Sequence, residues 1–132
     1  MAELTRHRLA SFSVESTRYN AYDELTFINP CFWNGRTKFW QDKMAEIEDV
    51  YKDFRKRGAT PEQARAILPN SLKTEIIMTA NLREWRTILK LRTDKAAHPQ
   101  MRQVANMILD VLKEKLPIVF EDIGDDQKRK SH

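Results

Sequence analysis

Two long stretches of helical periodicity constrain this chain more than anything else in it. Residues 37–57 carry Trp40, Met44, Ile47, Tyr51 and Phe54 at helical spacing, and Gly58 fits the position just past a helix end. Pro99 opens a second long helix with Met101, Val104, Ala105, Ile108, Leu112 and Leu116 as its apolar stripe, and Pro117 ends it. Shorter helices lie between them. Thr60-Pro61-Glu62-Gln63 is a capping box with proline at the first helical position, and the helix it opens runs through Leu68 to Pro69. Asn81 with Glu84 three residues on starts another helix that reaches about Arg92.

The remainder reads as short extended segments. Residues 3–10 look like the end of a helix already under way. Residues 11–19 are rich in Ser, Thr, Val, Phe and Tyr and suit extended chain. That geometry places Phe12, Val14, Ser16 and Arg18 on one side and Ser11, Ser13, Glu15, Thr17 and Tyr19 on the other. Residues 25–28 suit a short strand before Asn29-Pro30. Ile76-Ile77-Met78-Thr79 reads either as a buried strand or as the start of a longer helix, and periodicity does not arbitrate. The expected class is α+β, mostly helical with a few short strands. A length of 132 residues suits one domain, expected over residues 1–120, with a polar, frayed tail over 121–132.

Composition excludes several function classes. Apolar content of 41% with 32% charged residues argues against a disordered chain. No apolar run approaches the roughly 20 residues of a membrane span. The N-terminus lacks the apolar core of a signal peptide, and the single cysteine, Cys31, makes no internal disulfide, so a cytoplasmic location is the expectation. Three glycines leave no glycine-rich phosphate loop, so phosphate would be held by side chains or helix N-termini. No metal site is expected, because the three histidines and one cysteine lack ligand spacing. The net charge of +4 favours anionic partners without choosing among them.

Chemistry concentrates in a few places. Residues 6–19 pack Arg6, His7, Arg8 and Arg18 with Glu15 and the hydroxyls of Ser11, Ser13, Ser16 and Thr17 among apolar residues. This suits a wall gripping an anionic, ring-containing ligand, since guanidinium forks match phosphate. Composition alone favours a plainer basic helix end followed by a half-exposed strand. The free N–H groups of the helix opened by Asn81 make a second anion site, with Arg83 in its first turn and Thr87 on the same face. Arg92 is the third candidate. It ends the stripe Trp85, Ile88, Leu89, and must either snorkel out or find an anionic partner. Arg65 raises the same question on the short helix, and His98 suits a helix cap, a ligand contact or plain surface. Cys31 has no histidine near it and reads as a structural thiol.

Four ordered blocks carry a resemblance. Arg6-His7-Arg8, Ser11 and Glu15-Ser16-Thr17-Arg18-Tyr19 resemble the signature of the flavin-dependent thymidylate synthases, the ThyX family. Residues 64–69 (ARAILP), 79–85 (TANLREW), and Leu91-Arg92 followed by 96–102 (AAHPQMR) follow in the family's order. The resemblance covers nearly the whole chain. It implies conversion of dUMP to dTMP, with methylenetetrahydrofolate as carbon donor, NADPH as reductant and FAD as hydride source. It implies that Arg6, Glu15, Ser16, Thr17, Arg18, Arg65 and Arg92 surround dUMP, with Arg92 as the catalytic residue at the pyrimidine. It further implies that Arg6, His7, Arg8, Asn81, Arg83, Thr87 and His98 contact FAD. A homotetramer with sites shared between subunits is part of the same expectation, with no membrane and no nucleic acid as partners. The family lean at residues 76–79 is towards helix or irregular packing.

The chain departs from the family pattern in places. Ser13-Val14 stand where many members have Asn-Glu, and Glu15 comes one place later. Thr87 replaces a frequent flavin-contacting Asn, and Ala96 a His that some members carry. The chain begins just ahead of the motif, whereas members carry an N-terminal portion with part of the FAD site and much of the central sheet. A non-catalytic nucleotide-binding relative is therefore a second expectation, and a basic nucleic-acid-binding helical domain a weaker third, for want of a recognised motif.

Overall fold

A computed structural model describes residues 2–16, 22 and 24–124. Its elements in chain order are α1 (Ala2–Thr5), β1 (Ala10–Val14), α2 (Thr37–Lys56), α3 (Pro61–Ala64), β2 (Ile76–Ala80), α4 (Leu82–Arg92), α5 (Pro99–Lys115) and α6 (Pro117–Phe120). A 3-10 turn, Arg65–Ile67, follows α3 directly. The α+β class expected from sequence holds, and among the described residues β1 and β2 form one two-stranded antiparallel sheet.

The chain folds as two compact units, one of residues 1–12 and 78–132, the other of residues 13–77. In the first, Leu89, Ala105, Leu109, Phe120 and Ile123 form a buried core, with Trp85, Met101, Ile108, Leu112 and Val119 packed against it. The amphipathic faces of α4 and α5 supply most of these side chains, so burial of apolar surface holds the two helices together. Arg86 ties α4 to α6 and the segment after it, donating two bonds to the Asp122 carboxylate at 2.7 and 2.6 Å and one to the Val119 carbonyl. In the second unit the core is Leu25, Tyr51 and Ala64, bordered by Tyr22, Phe27, Ala59, Ile67, Leu68 and Leu72. Glu48 of α2 accepts from the Leu25 N–H at 3.3 Å and pairs with Lys52 at 2.8 Å. Lys52 above all, with the Leu25 N–H, holds the Glu48 carboxyl below the usual carboxylate range.

The local signals explain the helix boundaries. Thr60 accepts from the Gln63 N–H at 3.3 Å and its own N–H donates to the Gln63 side chain at 2.9 Å, which completes the capping box. Asn81 caps α4 by accepting from the Glu84 N–H at 2.8 Å. Gly58, at a φ of 90°, takes the left-handed conformation that follows α2.

Several expectations need correction. The helix expected over residues 3–10 stops at Thr5, and Arg6, His7 and Arg8 occupy the turn that leads into β1. Ile76–Ala80 is a strand, not a helix or irregular segment: β-branched residues dominate, and burial alternates with Ile76, Met78 and Ala80 inward. The alternation expected for the opening stretch holds at Phe12, while Val14 is exposed. Residues 25–28 make only a single bridge, Phe27 to Leu72. The stripe of α5 centres on Ala105 and Leu109, with Val104 and Leu116 exposed, because Phe120 and Ile123 fold back onto that side. Pro117 ends α5 as expected but also opens α6. The frayed tail does not hold for residues 121–124, where Ile123 joins the core and Asp122 pairs with Arg86. Residues 125–132 lie outside the described residues.

Candidate active site

The first unit brings four charged or polar side chains onto one face of α4. Glu84, Ile88 and Arg92 follow each other at four-residue intervals, so they share one slowly turning side of an 11-residue helix. Ile88 is buried. Glu84 and Arg92 stand eight residues apart, about 12 Å along the axis, and His7 spans the interval. Its Nδ1 lies 3.4 Å from Glu84 Oε1, and its Nε2 accepts from Arg92 Nε at 3.3 Å. Beyond that contact, Arg92 donates to the Glu3 carboxylate at 3.1 Å and to the Glu3 carbonyl at 2.8 Å.

The local sequence accounts for this arrangement. A helix as short as α1 leaves its carbonyls without intrahelical partners, and the Glu3 carbonyl finds one in Arg92. The turn after α1 closes with the His7 N–H on the Leu4 carbonyl at 3.0 Å, which sets the imidazole against α4. His7 is 7% exposed, Glu84 11%, Arg92 18% and Glu3 35%, so exposure rises along the series towards Glu3. Of the two outcomes open to Arg92 from sequence, the structure shows an anionic partner supplied by the chain itself. Arg92 does not simply snorkel.

An arginine Nε–H only donates, so His7 Nε2 must carry a free lone pair and the ring proton must sit on Nδ1, facing Glu84.

The other expected residues distribute as follows. Arg6 and Arg8 are exposed in the turn after α1. Asn81 and Arg83 sit at the exposed start of α4, and the Thr87 hydroxyl donates to the Arg83 carbonyl at 3.2 Å. His98 is the residue before α5 and makes no side-chain cap. All of these belong to the first unit. Glu15, Ser16 and Arg65 belong to the second. There the Tyr22 hydroxyl donates to Glu15 at 3.4 Å, the Glu15 N–H donates to the Glu75 carbonyl, and Arg65 is half-buried at the start of the 3-10 turn. Thr17 and Arg18 lie outside the described residues. Sequence reasoning missed Glu3 and the second role of Glu84. The i, i+4, i+8 spacing of Glu84, Ile88 and Arg92 was an available signal for Glu84, whereas nothing local marks Glu3.

A family model described as thymidylate synthase complementing protein matches residues 1–118. The chain belongs to this family, that of the flavin-dependent thymidylate synthases. A flavin-dependent thymidylate synthase from Pyrococcus furiosus is 39% identical over 115 residues, covering 82% of this chain and 47% of that protein. One from Corynebacterium diphtheriae is 30% identical over 138 residues, covering 91% and 55%. A crystal structure of ThyX from Helicobacter pylori with FAD and dUMP superposes with a TM-score of 0.72 at 25% identity, covering 92% of this chain and 65% of that one. The chain thus spans about half the length of these curated ThyX relatives. Among the described residues, no helix is long and apolar enough to cross a membrane.

The exposed guanidinium groups of Arg6, Arg8 and Arg83 suit the diphosphate of FAD. Asn81 keeps its amide N–H groups after its oxygen has capped α4, which leaves donors for a flavin ring edge. His7 does not fit a flavin contact as it stands, because both its nitrogens face partners within the chain.

Proposed function

We propose that this chain takes part in converting dUMP to dTMP, with methylenetetrahydrofolate as the carbon donor. The observation that carries this reading is the placement of Arg92. Its guanidinium ends an apolar stripe, is mostly buried, and is held by hydrogen bonds from two directions. A guanidinium fixed in this way stabilises negative charge that develops on a pyrimidine ring at N3, since it needs little reorganisation when the charge appears. Arg92 is the catalytic residue of this reading. Arg6 adds positive charge for the phosphate, and Glu15, Ser16, Thr17, Arg18 and Arg65 supply the remaining dUMP contacts. Arg6, Arg8, Asn81, Arg83, Thr87 and His98 would hold FAD. When bound, FAD supplies the hydride that the conversion needs, after reduction by NADPH. Assembly into a homotetramer and a cytoplasmic location belong to the same reading.

A second reading is a relative that binds the nucleotide without carrying out the flavin reaction. The internal engagement of His7 favours it. The test is reconstitution of the purified protein with FAD, followed by dUMP titration and assay of dTMP. Flavin uptake with dTMP formation supports the first reading. Binding of dUMP without flavin uptake supports the second. Salt-sensitive DNA binding without affinity for dUMP overturns both.

A further inference from the structure

We infer that Glu84 is a positioning residue for Arg92, acting through His7; this rests on the reading of Arg92 as the group that meets the pyrimidine. Glu84 already has an ordinary structural reason to be where it is. It is an acidic residue in the first turn of α4, where it complements the helix dipole, and its N–H meets the Asn81 cap. That role does not require its carboxylate to be nearly buried, nor to face an imidazole. The Glu84 side chain is only 11% exposed and its Oε1 lies 3.4 Å from His7 Nδ1.

The chemistry of the three groups makes the chain of contacts directional. Arg92 Nε offers a proton and accepts none, so His7 must present a bare Nε2. A neutral imidazole can carry its proton on either nitrogen, and an acceptor beside Nδ1 selects the form with Nδ1–H. Glu84 is that acceptor. It fixes the tautomer, the tautomer fixes the Nε contact, and the Nε contact fixes the plane of the guanidinium. The Nη1 and Nη2 nitrogens are then left on the Glu3 side, which is the more exposed side of the cluster. The arrangement is the same in kind as a carboxylate that orients a metal-ligating histidine, with a guanidinium in place of the metal.

Two substitutions separate positioning from helix stabilisation. Glu84→Gln removes the charge from the first turn but keeps an oxygen that can accept from Nδ1. Glu84→Asp keeps the charge but is one methylene too short to reach His7. We expect Glu84→Asp to weaken dUMP binding on the order of tenfold to a hundredfold with little change in melting temperature. Glu84→Gln should bind dUMP within about twofold of the wild type while melting slightly lower. A purely structural role gives the same melting order but leaves dUMP binding by Glu84→Asp within about twofold of the wild type, and that result overturns the inference. Nitrogen-15 spectra of His7 and the Arg92 Nε–H give a readout that needs no ligand. The wild type and Glu84→Gln should show the Nδ1–H form, and Glu84→Asp should shift towards Nε2–H with movement of the Arg92 signal. An Nε2–H or doubly protonated His7 in the wild type at neutral pH overturns the relay. If the wild type binds no dUMP, the proposed function fails, and the spectra still decide whether Glu84 positions Arg92.

Discussion

Arg92 holds Glu3 at two points, its carboxylate at 3.1 Å and its carbonyl at 2.8 Å. A ligand that approaches the Nη groups of Arg92 therefore shares them with a resident carboxylate or displaces it. Removing the charge while keeping the shape should help an anionic nucleotide. Glu3→Gln is expected to tighten dUMP binding by about threefold to tenfold, measured by calorimetric titration at low salt. Weaker binding would show that the Glu3 carboxylate itself is needed for the nucleotide.

Asn81 is expected to have two separable roles. Its side-chain oxygen caps α4, and its amide donors are free for a ligand. Asn81→Ala should cost about 1 kcal/mol of stability through the lost cap. Asn81→Ser restores a capping oxygen and with it the stability, yet it lacks the amide donors. Both variants should take up less FAD, which flavin fluorescence checks against denaturation curves of the same samples.

The pairing of Arg86 with Asp122 gives stability a defined pH dependence. The bidentate bond to Arg86 holds the Asp122 carboxyl down at about 2, against an ordinary value of 3.8. A carboxyl depressed in the folded state stabilises it above the unfolded value, and this contribution fades as pH falls from 3.8 towards 2. Asp122→Asn should therefore melt about 1–3 °C lower than the wild type at pH 7. The difference should shrink below pH 4 and vanish near pH 2, as thermal melts across that range would show.

Leu89 is fully buried at the contact between α4 and α5, whereas Val104 is exposed on α5 although it falls in the stripe read from sequence. Leu89→Ala should destabilise the protein by about 2–5 kcal/mol through the cavity it leaves. Val104→Ala should change stability by less than about 0.5 kcal/mol. Chemical denaturation of the pair checks where the core lies.

Much of this organisation is legible in the amino-acid sequence. Caps and breakers act locally, so Thr60, Asn81, Pro99 and Gly58 marked helix ends that the structure keeps within a residue or so. The strand at residues 76–80 was not decided, because a run of five residues with mixed apolar character satisfies both periods and pairing with β1 selects one. The shift of the α5 stripe towards Leu109 depends on Phe120 and Ile123 returning from beyond a proline, which no helical pattern encodes. At the site, the sequence left Arg92 either to snorkel out or to find an anionic partner. It did not show that Glu3, 89 residues away, provides one. Such a contact is set by tertiary packing, and the same holds for His7, for which the resemblance implies a flavin contact and whose neighbours in space include Glu84 and Arg92.

The most direct measurement is dUMP affinity in the wild type and in Arg92→Ala, with circular dichroism run on both. The Glu3 carboxylate left behind is more than a third exposed, so loss of its partner should leave the fold intact. The account predicts a measurable dissociation constant for the wild type and a loss on the order of tenfold or more in Arg92→Ala, with the helical signal unchanged. Equal affinity in two folded proteins would contradict the placement of Arg92 at the pyrimidine.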